Sequence, residues 1–188
     1  DNVDKVVFIG RNAGATTNDT AATGSVGIGH SALNALTTGS NNTAVGFETL
    51  KVEDVGQYST AVGYQALTAQ TADHSATDAG NTAVGFKAGT AVNTGYYNTL
   101  IGRTAGFAIT TGAGNTVMGS EAGKAIVGGD DNTIIGKQAA MASTAGTNMT
   151  IIGKGAGGLG VIEAGAAGTV AVGYESCQDL TSGANNTG

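Results

Sequence analysis

Apolar residues in this chain come in short runs closed by glycine, and the runs recur. Asn42-Thr-Ala-Val-Gly46 returns as Ser59-Thr-Ala-Val-Gly63, Asn81-Thr-Ala-Val-Gly85, Asn98-Thr-Leu-Ile-Gly102, Asn115-Thr-Val-Met-Gly119, Asn132-Thr-Ile-Ile-Gly136 and Met149-Thr-Ile-Ile-Gly153. Looser copies end at Gly10, Gly29 and Gly173. With the closing glycine as anchor, the steps are 19, 17, 17, 22, 17, 17, 17, 17 and 20 residues. The unit is therefore 17 residues, with extra residues in three copies. Fixed-period self-similarity of this kind marks a stacked repeat. Ten copies fill residues 1–188, so the chain reads as a single array without a linker. The closing Asn185-Asn-Thr-Gly188 matches Asn41-Asn-Thr-Ala44, which reads as a piece of a longer array.

The columns predict the element. Before the anchor stand Ile9, Ile28, Val45, Val62, Val84, Ile101, Met118, Ile135, Ile152 and Val172, all but one β-branched, which suits a strand. Two before the anchor the residues are again mostly apolar, from Phe8 and Ala44 to Leu100, Ile134 and Ile151. These two columns point to opposite faces of a strand. Three after the anchor every residue is small, Ala13 through Ala105 to Ser176, so something packs close there. Glycine recurs four after and seven before the anchor, as at Gly106 and Gly95, which predicts corners. Each unit reads as a short strand, a corner, a second short strand and a turn. Seventeen residues are too few for a helical repeat, whose shortest forms need roughly 33. The expected fold is all-β: a parallel β-solenoid of about ten 17-residue coils, roughly 45–50 Å long at the usual strand spacing. Polar columns such as Glu48, Gln65, Lys87, Glu121, Gln138 and Glu175 are expected to face solvent. One apolar strand face fills the coil, and the other calls for cover by another chain, so oligomerisation is expected.

Composition narrows the function. Gly, at 33 of 188 residues, together with Ala and Thr makes up nearly half the chain; Pro and Trp are absent, and charged residues are 12%. That is neither a disordered composition nor an aromatic-rich core. The net charge of -6 offers no basic stripe for nucleic acid. No apolar run approaches 18 residues, so no membrane insertion is expected. Two His and one Cys leave little for catalysis; no cofactor, no metal and no enzyme activity are expected. Cys177 shares the Leu50 and Leu67 column and reads as a small core residue.

The ligand-binding candidates lie elsewhere. Phe47, Tyr64 and Phe86 follow the anchor in successive coils and could form a platform for sugar rings, or instead pack against a neighbouring subunit or cap a corner. His30 precedes them in the column. Asp73 and His74 lie in the five-residue insertion of the Thr68–Gly80 segment, where a solvated loop outweighs a metal site because the spacing fits no standard ligand set. Loops leave a solenoid without disturbing its ladder, so recognition is expected at that insertion or at the aromatic run. The threonines Thr43, Thr60, Thr82, Thr99, Thr116, Thr133 and Thr150 form one column over seven coils. An exposed flat Thr ladder would suit an ice-binding solenoid. Sharing a strand face with the Val/Ile column argues instead for burial. The Asn before most of them is expected to form an internal ladder between coils.

Asn-Thr-Ala-Val-Gly-Phe-Glu-Thr-Leu at 42–50 and Ser-Thr-Ala-Val-Gly-Tyr-Gln-Ala-Leu at 59–67 resemble the head repeats of trimeric autotransporter adhesins, and more closely the related repeats of phage tail-fibre proteins. The resemblance extends over all ten units. It implies a homotrimer of β-rolls, left-handed in the adhesin heads, within an extracellular fibre (virion tail fibre or cell surface) that spaces and attaches to a host glycan or protein. The adhesin heads commonly use fourteen-residue units, so the coil shape here should differ.

Overall fold

The structure, a computed structural model, describes residues 5–17, 22–72, 78–158, 167–179 and 184–188. Ten three-residue strands follow one another: β1 (Val7–Ile9), β2 (Val26–Ile28), β3 (Thr43–Val45), β4 (Thr60–Val62), β5 (Thr82–Val84), β6 (Thr99–Ile101), β7 (Thr116–Met118), β8 (Thr133–Ile135), β9 (Thr150–Ile152) and β10 (Val170–Val172). They pair in sequence order into one ten-stranded parallel sheet. The chain is thus a parallel β-solenoid with one strand per coil. Register follows the repeat column by column, as in Ala44↔Ala61 and Val45↔Val62. It survives the 22-residue step, where Thr60 still pairs with Thr82. Thr187 bridges to Val170, extending the ladder past β10.

The expected second strand is not there; among the described residues the rest of each coil is turn. The cause is a pair of left-handed residues, two and four after the anchor. Glu48 and Leu50 have φ 53° and 46°, Gln65 and Leu67 53° and 49°, Gln138 and Ala140 59° and 46°. Extended backbone cannot contain two positive φ values so close together. Coil-to-coil hydrogen bonding continues through these turns nonetheless, for instance from Ala91 N to Phe107 O and from Ala108 N to Lys124 O. The glycines four after the anchor, such as Gly106 (φ 56°), occupy the second left-handed position at no steric cost. The glycines seven before the anchor have a different reason. Their φ is not positive; a Cβ at Gly95, Gly112 or Gly129 would collide with the carbonyl oxygen of the corresponding glycine in the next coil.

Burial decides which strand face is inside. The middle residue of nine strands, among them Ala44, Leu100, Val117, Ile134 and Ile151, is fully buried, and the residues either side of it are not. The interior is completed by the small column at Ala32, Ala66, Ala88, Ala105, Ala122 and Ala139, and by the column at Leu36, Val92, Ile109 and Ile126. Volumes are reciprocal within a coil. Where the strand contributes Gly27, Ala44 or Ala61, the left-handed position supplies Leu33, Leu50 or Leu67; where it contributes Leu100, Val117 or Ile151, that position is Gly106, Gly123 or Gly157. The β5 coil departs from this, with Ala83 beside Gly89; there the space over Gly89 is taken by Leu100 and Leu67 of the neighbouring coils. Cys177 packs against this core at partial burial, as expected from its column. Ala105→Leu overfills a fully buried site and is expected to cost about 1–3 kcal/mol in urea unfolding; a neutral result would put that column on the surface.

Between these apolar columns runs the expected Asn ladder. Asn42, Asn81, Asn98, Asn115 and Asn132 are buried. Each Oδ1 accepts from the backbone N–H one coil on, as Asn98 does from Asn115 N at 3.0 Å. Each Nδ2 donates to the glycine carbonyl of the next coil, as Asn98 does to Gly112 O at 2.8 Å. From Asn81 to Asn132 the side chains also bond one another, at 2.9–3.1 Å.

Candidate functional site

Side chains that leave the solenoid are set by the same columns. The residue after the anchor is held at the end of the strand, just beyond a glycine whose φ is 126–139° in all ten copies. Parallel in-register stacking therefore places successive side chains of this column one above another. Phe47, Tyr64 and Phe86 form a continuous stack, with centroids 5.2 and 5.3 Å apart and planes within 12°. His30 extends it, 5.1 Å from Phe47 and at 11°. The Lys87 ammonium lies 5.5 Å from the Phe86 ring centre. The rings are 39–47% exposed at Phe47, Tyr64 and Phe86, but their faces are turned on one another. A sugar ring packs its C–H groups on an aromatic face, so the inner rings offer it only edges. Of the stack, edges rather than inner faces are open along its length. Its direct effect is to tie four coils together, each ring pair worth roughly 0.5–1.5 kcal/mol beyond burial.

Asp73 and His74 lie outside the described residues; the base of their insertion does not. The ladder runs to Thr71, whose N–H donates to Asn93 O, and resumes where Asp78 bridges to Gln57. The extra residues are thus 73–77. Beneath this point the apolar interior column changes to Glu53 and Gln70, both fully buried. Glu53 Oε1 accepts from Gly56 N at 2.6 Å, Val55 N at 3.2 Å and Ala72 N at 3.3 Å. Its Oε2 accepts from Gln70 Nε2 at 2.7 Å. Gln70 Oε1 in turn accepts from Asn81 Nδ2 at 3.0 Å. The carboxylate thus holds the departing backbone at Ala72. Sequence reading missed this pair, though a carboxyl and an amide in successive coils of a column holding Leu36, Val92, Ile109 and Ile126 were a visible signal. The partners at the base of the insertion are Asn93, Glu53 and Gln57, none of which belongs to the aromatic stack. The structure gathers Phe47, Tyr64 and Phe86 but does not join them to the described ends of the insertion.

The polar columns lie along the rod rather than projecting from it. Gln65 Nε2 donates to Glu48 Oε2 at 2.8 Å, and Gln138 Nε2 to Glu121 Oε2 at 3.0 Å. The hydrogen bond from Lys51, followed by that from Gln65, holds the Glu48 carboxyl below its usual range. Gln138 and then Arg103 do the same for Glu121. The hydrogen bond with Glu175 pushes the Tyr174 phenol up.

The outward face of the sheet carries two rows. One is the Val/Ile/Met column, exposed from 36% at Ile135 to 58% at Ile9 in Ile9, Val84, Met118, Ile135 and Val172 and half-buried at Ile28, Val45, Val62, Ile101 and Ile152. The other is the seven-threonine row, in register from Thr43↔Thr60 to Thr133↔Thr150. The threonines are half-buried rather than enclosed. Sharing a face with the Val/Ile row brings them outside, because that row is the outer one.

Among the described residues no cluster of three or more His, Cys, Asp or Glu could hold a metal ion, and no helix is long and apolar enough to cross a membrane. Comparison with protein-family models, with curated proteins and with solved structures finds no match.

Proposed function

We propose that this chain is a shaft segment of an extracellular fibre, of the kind built in phage tail fibres and cell-surface adhesins, acting without catalysis as a rigid homotrimeric spacer whose inserted loops meet a host glycan or protein. The observation that carries this reading is the continuous outward row of Val, Ile and Met on every coil. Contiguous exposed apolar surface on a soluble protein marks an interface, and a straight stripe along a rod fits other copies of the same rod. Replacing Val84 and Ile135 together by Lys is expected to leave the circular dichroism unchanged and to shift sedimentation to single chains. An unchanged mass would remove the stripe from the interface.

A second reading has its own observation. The threonine row stands half-buried on the outer face and in register over successive coils, the regular spacing an ice-binding surface uses. The two readings compete for the same face, since a trimer that buries the Val/Ile row also restricts access to the threonines. Thermal hysteresis by a monomeric chain would favour ice binding; its absence in an oligomer favours the fibre.

A further inference from the structure

Resting on the trimeric fibre reading above, we propose that copies of this chain associate in parallel and at one level, through an ion pair between Lys137 of one copy and Asp131 of the next. The face to be covered has two flanks. In the β8 coil Asp131, Thr133, Ile135 and Lys137 are exposed or half-buried, while Asn132 and Ile134 between them are buried. The same alternation gives Tyr97, Thr99, Ile101 and Arg103 in the β6 coil, and Asn148, Thr150, Ile152 and Lys154 in the β9 coil. The apolar row and the threonine row thus run between two outer columns, one five residues before the anchor glycine and one just after it.

These columns differ in charge. Over the β6 to β9 coils the column after the anchor reads Arg103, Ser120, Lys137 and Lys154. The column five before it reads Tyr97, Gly114, Asp131 and Asn148, with Asp130 alongside. Contacts within the chain engage the other charges. Arg103 pairs with Glu121, which also accepts from Gln138, and the Lys154 ammonium lies 5.2 Å from the Tyr174 ring centre. Asp130 Oδ1 accepts from Ala113 N at 2.8 Å. Lys137 and Asp131 have no ion-pair partner among the described residues. At β1 both flanks are basic, Lys5 and Arg11, so the attraction is assigned to the β8 coil alone.

Symmetry brings the flanks together. When identical rods stand around an axis along their length, the flank before the strand of one copy meets the flank after the strand of the next, at the same height. An antiparallel pair would instead set like flank against like flank. The heights match in the parallel case. Asp131, at φ 54°, lies back over Gly114, where a Cβ would collide with its carboxylate oxygen. That sets the carboxylate at the height of Ser120, which follows the anchor in the β7 coil. Lys137 is one coil step further on, about 4.8 Å. A lysine side chain spans that step, and the Ser120 hydroxyl is a donor at the level itself. A charged pair at the rim of an apolar stripe fixes which level meets which more than it adds affinity.

The test is a dilution series of the whole 188-residue chain, followed by light scattering at low ionic strength. It compares the unmutated chain, Lys137→Asp, Asp131→Lys and the two substitutions combined. A lysine takes φ 55° at Lys87, so Asp131→Lys suits the backbone. Each single reversal sets like charges against each other and is expected to raise the concentration at half-association by about tenfold; the combined exchange is expected to restore it to within about threefold. Added salt should weaken the unmutated oligomer and strengthen the single reversals. An oligomer indifferent to both reversals, or weakened by them and not restored by the exchange, would overturn the pairing and leave the fibre reading standing. Single chains from the unmutated protein at micromolar concentration would overturn both.

Discussion

Gly102→Ala is expected to lose about 4 kcal/mol or more of stability, as a methyl added at any anchor glycine inside the array should. Two costs combine. Gly102 has φ 134°, a conformation closed to residues with a Cβ. A Cβ there would also stand 2.5 Å from the carbonyl oxygen of Gly119 in the next coil. Relief requires separating two coils, which breaks the strand pairing of β6 with β7. Gly128→Ala is the matched control. Gly128 has no positive φ, and an added Cβ would meet only Thr111 Oγ1, at 3.3 Å. It should be close to neutral. Urea unfolding of both variants checks the pair; equal stabilities would mean that the anchor column does not set coil spacing.

Asn115→Ala comes next, at about 3–5 kcal/mol. Asn115 Oδ1 accepts from Asn132 N at 3.1 Å and Asn132 Nδ2 at 2.9 Å; its Nδ2 donates to Gly129 O at 2.8 Å and Asn98 Oδ1 at 2.9 Å. Alanine leaves several buried polar groups without partners. Because contacts in a solenoid run between neighbours, hydrogen exchange should quicken first in the coils of β6 to β8. The neighbouring Thr116→Val, on the outer face, should change stability by no more than about 0.5 kcal/mol. If the two substitutions cost the same, the Asn ladder is not the internal tie between coils.

These columns explain what could be read from sequence. The 17-residue period, the anchor glycine and the Asn ladder were legible because stacking forces each coil to repeat the same constraint, so each constraint appears many times in one chain. The missing second strand was not legible. It depends on positive φ at Glu48, Gln65 and Leu67, residue types that give no local sign of a left-handed backbone. Nor did alternation alone show which strand face is inside, since both carry apolar residues. The reciprocal sizes of Ala61 with Leu67 and of Leu100 with Gly106 point to it, because side chains in the interior fill the space their neighbours leave. The aromatic stack was visible as a column, but its ring planes were not, and the planes are what deny a sugar the faces of the inner rings.

A shaft segment of a trimeric fibre must have its outward Val/Ile row covered by other copies of the chain. Multi-angle light scattering of the purified 188-residue chain at micromolar concentration measures this directly. Three chains per particle are predicted. A clean monomer would contradict the fibre reading and leave the half-buried threonine row as the feature to explain.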